Sequence, residues 1–412
     1  MSIRKNTKIY LDYAATTPVD PTVLKAMEPY FTGKFGNAGS LHSFGQEAMA
    51  TLDKSREAIA NSIGAKFNEV IFTGSATEAN NLALRGAMSK VRRQNSKVKP
   101  RIIVSAIEHE SILETAKDLE KDGVEVIYLP VDKSGFVDLI KLRGSINERT
   151  VLVSIMYANN EIGTIQDIKE AAKIIRHYKE SSSRLKTTNY QLQTPLLHTD
   201  AVQAFQYLDC NVDNLHVDLM TLSAHKIYAS KGVGMLYVRG VGRADEAAQK
   251  LSPMVTGGGQ EFGFRSATEN IPGIVGFAKA VEIVTSDKKQ ETRGRETDRV
   301  RKLRDYLWKG IRKIYPKAQL NGDRKNRLPN NLNIYLPGVS SEDLLIKLDI
   351  AGVAISSGSA CAARSLEPSY VIEELGFSKE RASQSVRISL GRPTSKSDID
   401  IFLARVVKLS IK

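Results

Sequence analysis

The sequence predicts an α/β fold, with helices packed around a mainly parallel sheet, and three observations carry that prediction. From about residue 50 onward, helical and strand-like patterns alternate, as crossover units require. The strand-like runs are short, apolar and rich in β-branched residues, which suits strands covered on both faces. The chain has 412 residues, 42% hydrophobic and 25% charged, enough for two or three domains with substantial cores.

The elements follow in order. Ala48, Leu52, Ile59 and Ile63 recur on one helical face, and Gly64 supplies a stop. Strands are expected at residues 69–73, 101–105, 124–128, 151–154, 196–199, 219–223 and 234–238. The polar stretch between Tyr178 and Pro195 is too hydrophilic for core and long for a helix-to-strand connection, so it reads as a surface insertion. Gly257-Gly258-Gly259 then separates the sheet region from a charged, helix-like stretch over residues 272–314, which predicts a second, smaller domain.

Composition excludes several classes. No run approaches the ~20 apolar residues of a membrane span, and the polar N-terminus lacks a signal region, so a cytoplasmic protein is expected. Two cysteines, Cys210 and Cys361, argue against a disulfide framework. The net charge of +13 invites acidic partners. Its basic residues are scattered and not interleaved with aromatics, so a solvated surface is expected in place of direct nucleic-acid binding.

The candidate chemistry lies at strand ends. His198-Thr199-Asp200 closes one expected strand and Ser223-Ala224-His225-Lys226 the next, and ligands of open parallel sheets sit beyond such carboxyl ends. Taken singly, Asp200 reads as a helix cap, Lys226 as a surface lysine, Thr77 as a cap and His109 as a satisfied polar histidine. Jointly, a pocket carboxylate and a pocket amine are the two groups that pyridoxal phosphate (PLP) needs most. Thr73-Gly74-Ser75-Ala76-Thr77-Glu78 adds a small-residue turn opening a helix, a phosphate cradle that is neither a Walker loop nor a GxGxxG turn. Cys361 lies in Ser356-Ser357-Gly358-Ser359-Ala360-Cys361, small neighbours that leave a thiol accessible. Cys210, in an acidic turn, reads as structural.

Nine words in order make the chain resemble the cysteine desulfurases, PLP enzymes of the class V aminotransferase group. They are Tyr10-Leu11-Asp12-Tyr13-Ala14-Ala15-Thr16-Thr17-Pro18, Ala76-Thr77-Glu78-Ala79-Asn80-Asn81, Glu108-His109, Asn159-Asn160-Glu161-Ile162-Gly163, Asp200-Ala201-Val202-Gln203, Ser223-Ala224-His225-Lys226-Ile227-Tyr228, Gly257-Gly258-Gly259-Gln260-Glu261, the run 356–361, and Val386-Arg387-Ile388-Ser389-Leu390-Gly391-Arg392. The resemblance implies fold type I, with a mixed, mainly parallel seven-stranded sheet in a large domain over 16–265. It also implies a smaller α+β domain over 266–412 that residues 1–15 join. It implies Lys226 as the lysine that binds PLP, Asp200 as the partner of the pyridine nitrogen, and His109 as the imidazole stacked on the ring. Gln203 and Asn160 match side chains near the ring hydroxyl and substrate, and Ala76, Thr77, Ser223 and His225 match the phosphate cup. Thr268 matches a phosphate ligand lent by the partner subunit, which implies a homodimer. Arg387 matches the guanidinium that grips the carboxylate of L-cysteine. Cys361 matches the nucleophile that takes the sulfur as a persulfide and passes it, from a flexible loop, to a protein acceptor in iron–sulfur assembly or tRNA thiolation. No metal is expected. Selenocysteine lyase, a class V relative less dependent on Cys361, stays open. The departures are local: Gly74-Ser75 in reversed order, Asn37-Ala38-Gly39-Ser40 in place of an Asn-Pro pattern, and Ala267 where glycine is common. The sequence ends at Lys412 with no counterpart of the tail by which housekeeping members engage their scaffold, which sets that partner in question.

Overall fold

A computed structural model describes residues 8–94, 99–184, 195–241, 251–285, 290–358 and 368–409. Among them a seven-stranded sheet forms from β2 (Val70–Thr73), β3 (Arg101–Ser105), β4 (Glu125–Leu129), β5 (Thr150–Ser154), β6 (Leu196–Asp200), β7 (Leu219–Ser223) and β8 (Gly234–Val238). Each lies within about a residue of its expected place, because short β-branched runs bounded by turn residues leave little freedom of assignment. The spatial order is β2-β8-β7-β6-β5-β3-β4. β8 runs antiparallel to both neighbours and every other pairing is parallel.

Both faces of this sheet are covered from β2 across to β3, while the edge strand β4 is only half-buried. Side chains alternate along a strand, so Val70 and Phe72, Ile103, Val153, Leu197, Met220 and Met235 enter one core. Ile71, Ile102 and Val104, Leu152, Leu196, Leu219 and Leu236 enter a second on the opposite face. The helix Ser43–Ile63 buries Ala48, Leu52, Ile59 and Ile63 in the first core and stops at Gly64, which adopts φ 68°. The helix Ala76–Gln94 covers the other face with Leu82, Ala83 and Met88.

Two segments depart from expectation. The helix Ile168–Arg184 runs six residues into the stretch read as an insertion, since Lys179-Glu180 extends a strongly amphipathic helix at no packing cost; residues 185–194 lie outside the described residues. The stretch 272–314 divides into helices Ile271–Thr285 and Gln290–Ile314. The former is apolar and buries Ile274, Phe277 and Val281 in the first sheet core. The latter places Val300 and Leu307 in a third core with Leu332, Ile334, Val386, Ile388, Phe402 and Val406. We therefore propose a domain boundary after Thr285.

The third core surrounds a small antiparallel sheet, β9 (Gln319–Leu320), β10 (Asn331–Tyr335) and β12 (Ser385–Ser389). The chain's start belongs here too. β1 (Ile9–Tyr10) pairs with β11 (Val353–Ala354), and Ile9 and Leu11 fill the third core.

Inside the main sheet, His198 is fully buried between Ser154 Oγ at 2.8 Å from Nδ1 and Thr221 Oγ1 at 3.1 Å from Nε2. Burial lowers its pKa from 6.5 to about 3. As pH falls, the unfolded chain takes up this proton before the folded one does. The neutral imidazole's stabilising contribution is therefore complete above about pH 6.5 and is lost progressively toward pH 3. Urea midpoints measured across that window are expected to fall more steeply for the parent than for His198→Gln, and parallel slopes would contradict a neutral buried His198.

Candidate functional site

The site forms where β6 and β7 end. Asp200 closes β6 and is 6% exposed. One carboxylate oxygen accepts from Asn80 Nδ2 at 2.9 Å and the other from the Val202 amide at 3.0 Å. Three residues later Gln203 donates through Nε2 to the Ala14 carbonyl at 2.9 Å. Lys226, in the short 3-10 turn after β7, donates to that same carbonyl at 2.7 Å and to Ala15 O at 2.6 Å. The N-terminal segment thus receives both side chains. His225 is joined to it as well, with Nδ1 at 3.0 Å from Thr16 Oγ1 and its carbonyl accepting from Thr17. Burial, with Lys226 and Lys231 adding to it, lowers His225 to a pKa of about 4.

His109 follows β3 and caps the helix Glu110–Lys121, its Nδ1 accepting from the Ser111 amide at 3.1 Å. Ser111 Oγ is also 2.9 Å from that nitrogen and receives Asn80 Nδ2 at 2.9 Å, which links His109 to Asp200 through Asn80. Burial lowers the His109 pKa, opposed by the Asp200 carboxylate and reinforced by the Lys226 cation. His109, Asp200 and Lys226 therefore share one electrostatic neighbourhood. Glu108, next to His109 in the chain, is fully buried, and desolvation raises its pKa well above the carboxylate range despite the Met156 amide at 2.5 Å from Oε1.

The turn from β2 into the helix Ala76–Gln94 sits beside these groups. Ser223 pairs with Gly234, and a Cβ on Gly234 would lie 2.5 Å from Ser75 C and 2.7 Å from Ala76 N, so only glycine lets β8 approach the turn. The first amides of that long helix, including those of Ala76 and Thr77, have no intrahelical acceptor and carry its positive dipole end. Arg265 and Glu78 brace the turn through a 2.7 Å ion pair, and Glu78 accepts from Gly74 N at 2.8 Å.

Arg387, on β12, is 1% exposed. It donates to Asp12 Oδ1 at 2.7 Å and to the Asn160 carbonyl at 3.1 Å. Its Nε and the Oδ1 of buried Asn160 have no partner among the described residues. They are buried polar atoms that a polar ligand would satisfy. Thr268 is exposed. Cys210 is 4% exposed in the first core, in keeping with a packing role. Cys361 lies outside the described residues; its flanks, Gly358 and Pro368, do not, and Ser356 exchanges backbone hydrogen bonds with Arg387 at 2.6 and 3.1 Å.

Residue-type reasoning assigned no role to Asn80, Asp12, Glu108 or Gly234. The first three stand inside the quoted words, which was the available signal; Gly234 stands at a strand start, where only the tertiary approach explains it.

The donor set fits PLP: a primary amine held against carbonyls, a buried carboxylate for a protonated ring nitrogen, a half-buried histidine within the electrostatic reach of both, and helix-terminal amides for a phosphate. Among the described residues no group of three or more His, Cys, Asp or Glu could hold a metal, and no helix is long and apolar enough to cross a membrane.

Comparison with known proteins agrees. Residues 9–402 match the family model described as aminotransferase class-V. "Cysteine desulfurase IscS" of Dictyoglomus turgidum is 42% identical over 396 residues, covering 96% of this chain and 93% of that protein. "Cysteine desulfurase IscS 1" of Archaeoglobus fulgidus is 40% identical over 394 residues, covering 96% and 94%. Among solved structures, a "NifS-like protein" superposes with a TM-score of 0.85 at 33% identity, covering 98% of this chain and 99% of the other. "SspA in complex with cysteine" does so at 0.76 and 33%, covering 93% and 99%. With nearly its whole length matched and its strand-end residues gathered at one site, this chain belongs to the aminotransferase class-V family.

Proposed function

We infer that the chain is a PLP-dependent cysteine desulfurase: L-cysteine and the Cys361 thiol give L-alanine and a Cys361 persulfide. The observation that carries this is the shared neighbourhood of Lys226 and Asp200, at the ends of the adjacent strands β7 and β6, with His109, which follows β3. Bound there, PLP supplies an electron sink for the amino acid's Cα. Lys226 holds the cofactor covalently and moves the Cα proton, while Asp200 keeps the pyridine nitrogen protonated. His109, neutral at physiological pH because burial lowers its pKa, exchanges protons near the reacting atoms. Gln203 and Asn160 line the ring and substrate; Ala76, Thr77, Ser223 and His225 take the phosphate. Arg387 offers its guanidinium to the substrate carboxylate, with Asp12 holding it in place.

In the sulfur step the Cys361 thiolate attacks the substrate sulfur. The S–S bond forms as the substrate C–S bond breaks, the carbon gains a proton, and alanine leaves. The acceptor is a protein, of iron–sulfur assembly or tRNA thiolation, in the cytoplasm.

A homodimer completes the site in this reading. Phe31, Phe35, Leu41, Phe44 and Met49 expose a run of large apolar side chains, more than a solitary subunit ordinarily leaves in water. Exposed Thr268 is then free to serve a second copy's phosphate.

Incubation with L-cysteine and a thiol reductant is expected to release alanine, with one persulfide sulfur per active site before reductant is added. Cys361→Ala should lower release by about 10³-fold or more, as loss of an essential nucleophile does. Release of alanine at the parental rate by that variant would refute the thiol step.

A further inference from the structure

Glu161, directly after Asn160, is 1% exposed and stands at a junction that substrate binding alone does not require. Ser369 Oγ donates to Glu161 Oε2 at 2.5 Å. That hydroxyl also accepts from Ile372 N as the cap of the helix Tyr370–Glu374, so its proton is directed to Glu161. On the other side, a Cβ built on Gly358 would lie 3.3 Å from the same Oε2 and 3.6 Å from Ser369 Cβ. One carboxylate oxygen therefore bonds the Ser369 flank of the segment that includes Cys361 and lies close beside its Gly358 flank. The Glu161 carbonyl accepts from Asn331 Nδ2 at 3.2 Å and Asn333 Nδ2 at 3.3 Å, both on β10.

These contacts close a ring. Arg387 donates to the Asn160 carbonyl, and Glu161 follows in the chain and reaches Ser369 and Gly358. Ser356 Oγ donates to Gly358 O at 3.1 Å, and the Ser356 backbone pairs with Arg387 itself. We propose that Glu161 is a positioning residue for the sulfur step, fixing both flanks of the Cys361 segment against the guanidinium that receives the substrate carboxylate. The inference rests on the desulfurase reading above.

Its test is steady-state kinetics of the PLP-loaded enzyme on L-cysteine for Glu161→Ala, Glu161→Gln and Ser369→Ala, with L-alanine binding followed by the cofactor's absorbance. L-alanine fills the same pocket but has no sulfur to give. Glu161→Ala is expected to lower kcat by about tenfold to a hundredfold, the scale of a misplaced reacting group, with KM and the L-alanine Kd within about twofold. Ser369→Ala should move the same way by a smaller factor. Glu161→Gln should recover most of the loss, because its amide oxygen still accepts the Ser369 hydroxyl. An unchanged kcat in Glu161→Ala, or a Kd for L-alanine that weakens in step with kcat, would overturn the proposal. If Glu161→Ala does not fold, parental kcat in Ser369→Ala overturns it. A parent that binds PLP yet makes no alanine defeats the desulfurase reading itself, a result distinct from an active parent with unmoved variants.

Discussion

Lys226→Ala is expected to lack the visible absorbance of lysine-bound cofactor and to release alanine about 10³-fold more slowly than the parent, the range set by loss of a combined nucleophile and proton carrier. The amine donates to the Ala14 and Ala15 carbonyls, so it is held at the end of β7 beside Asp200 and His109. Lys226→Arg separates chemistry from packing. A guanidinium keeps the charge and can still donate to those carbonyls, but it is neither a usable nucleophile nor a base near neutrality. Both variants should fold with the parental melting temperature within a few degrees and both should fail. Parental turnover by either one, measured as alanine per subunit, would remove Lys226 from the chemistry.

Glu261→Ala is expected to destabilise the fold by about 3–5 kcal/mol, the cost of leaving a buried charge without its partner. Arg56 and Glu261 form a two-pronged pair, Nη1 to Oε2 at 2.7 Å and Nη2 to Oε1 at 2.8 Å, with side chains 4% and 3% exposed. The pair also completes the backbone around β2: Arg56 donates to Val70 O at 2.6 Å, and Phe72 N donates to Glu261 at 2.8 Å. The guanidinium lies over the rings of Phe72 and Phe262 at 4.7 and 5.0 Å. Removing the carboxylate strands a cation and an amide together in the core. Replacing both partners, as in Arg56→Met with Glu261→Leu, should cost less than Glu261→Ala alone, since no buried charge is left unpaired. Urea unfolding checks both statements, and a Glu261→Ala loss below about 1 kcal/mol would show that the pair is worth no more than a surface bridge.

Much of this was legible because the signals are local. Each sheet strand is a short apolar run, and its neighbours in sequence decide it. Asp200 and Lys226 could be placed together because successive parallel strands put their carboxyl ends side by side. What could not be read are pairings across long stretches of chain: Asp12 with Arg387, Asn80 with Asp200, Arg56 with Glu261. Nothing near Arg56 marks it as buried, and its helix would tolerate it on a wet face equally well. The apolar helix Ile271–Thr285 was misread for a related reason, being averaged with the charged helix that follows it.

The strand pairing at the chain's beginning has a bearing on biosynthesis. Residues of the N-terminal segment are held in place by partners more than 340 positions later in the chain: Ile9 on Val353, Asp12 against Ser389, Ala14 N on the Ser389 hydroxyl. Those early residues also present the carbonyls to which Lys226 donates. A nascent polypeptide can thus build its central sheet during translation, yet the pocket stays unfinished until residue 389 has emerged. Catalytic competence, and with it any release of reactive sulfur, is deferred until that late partner is in place.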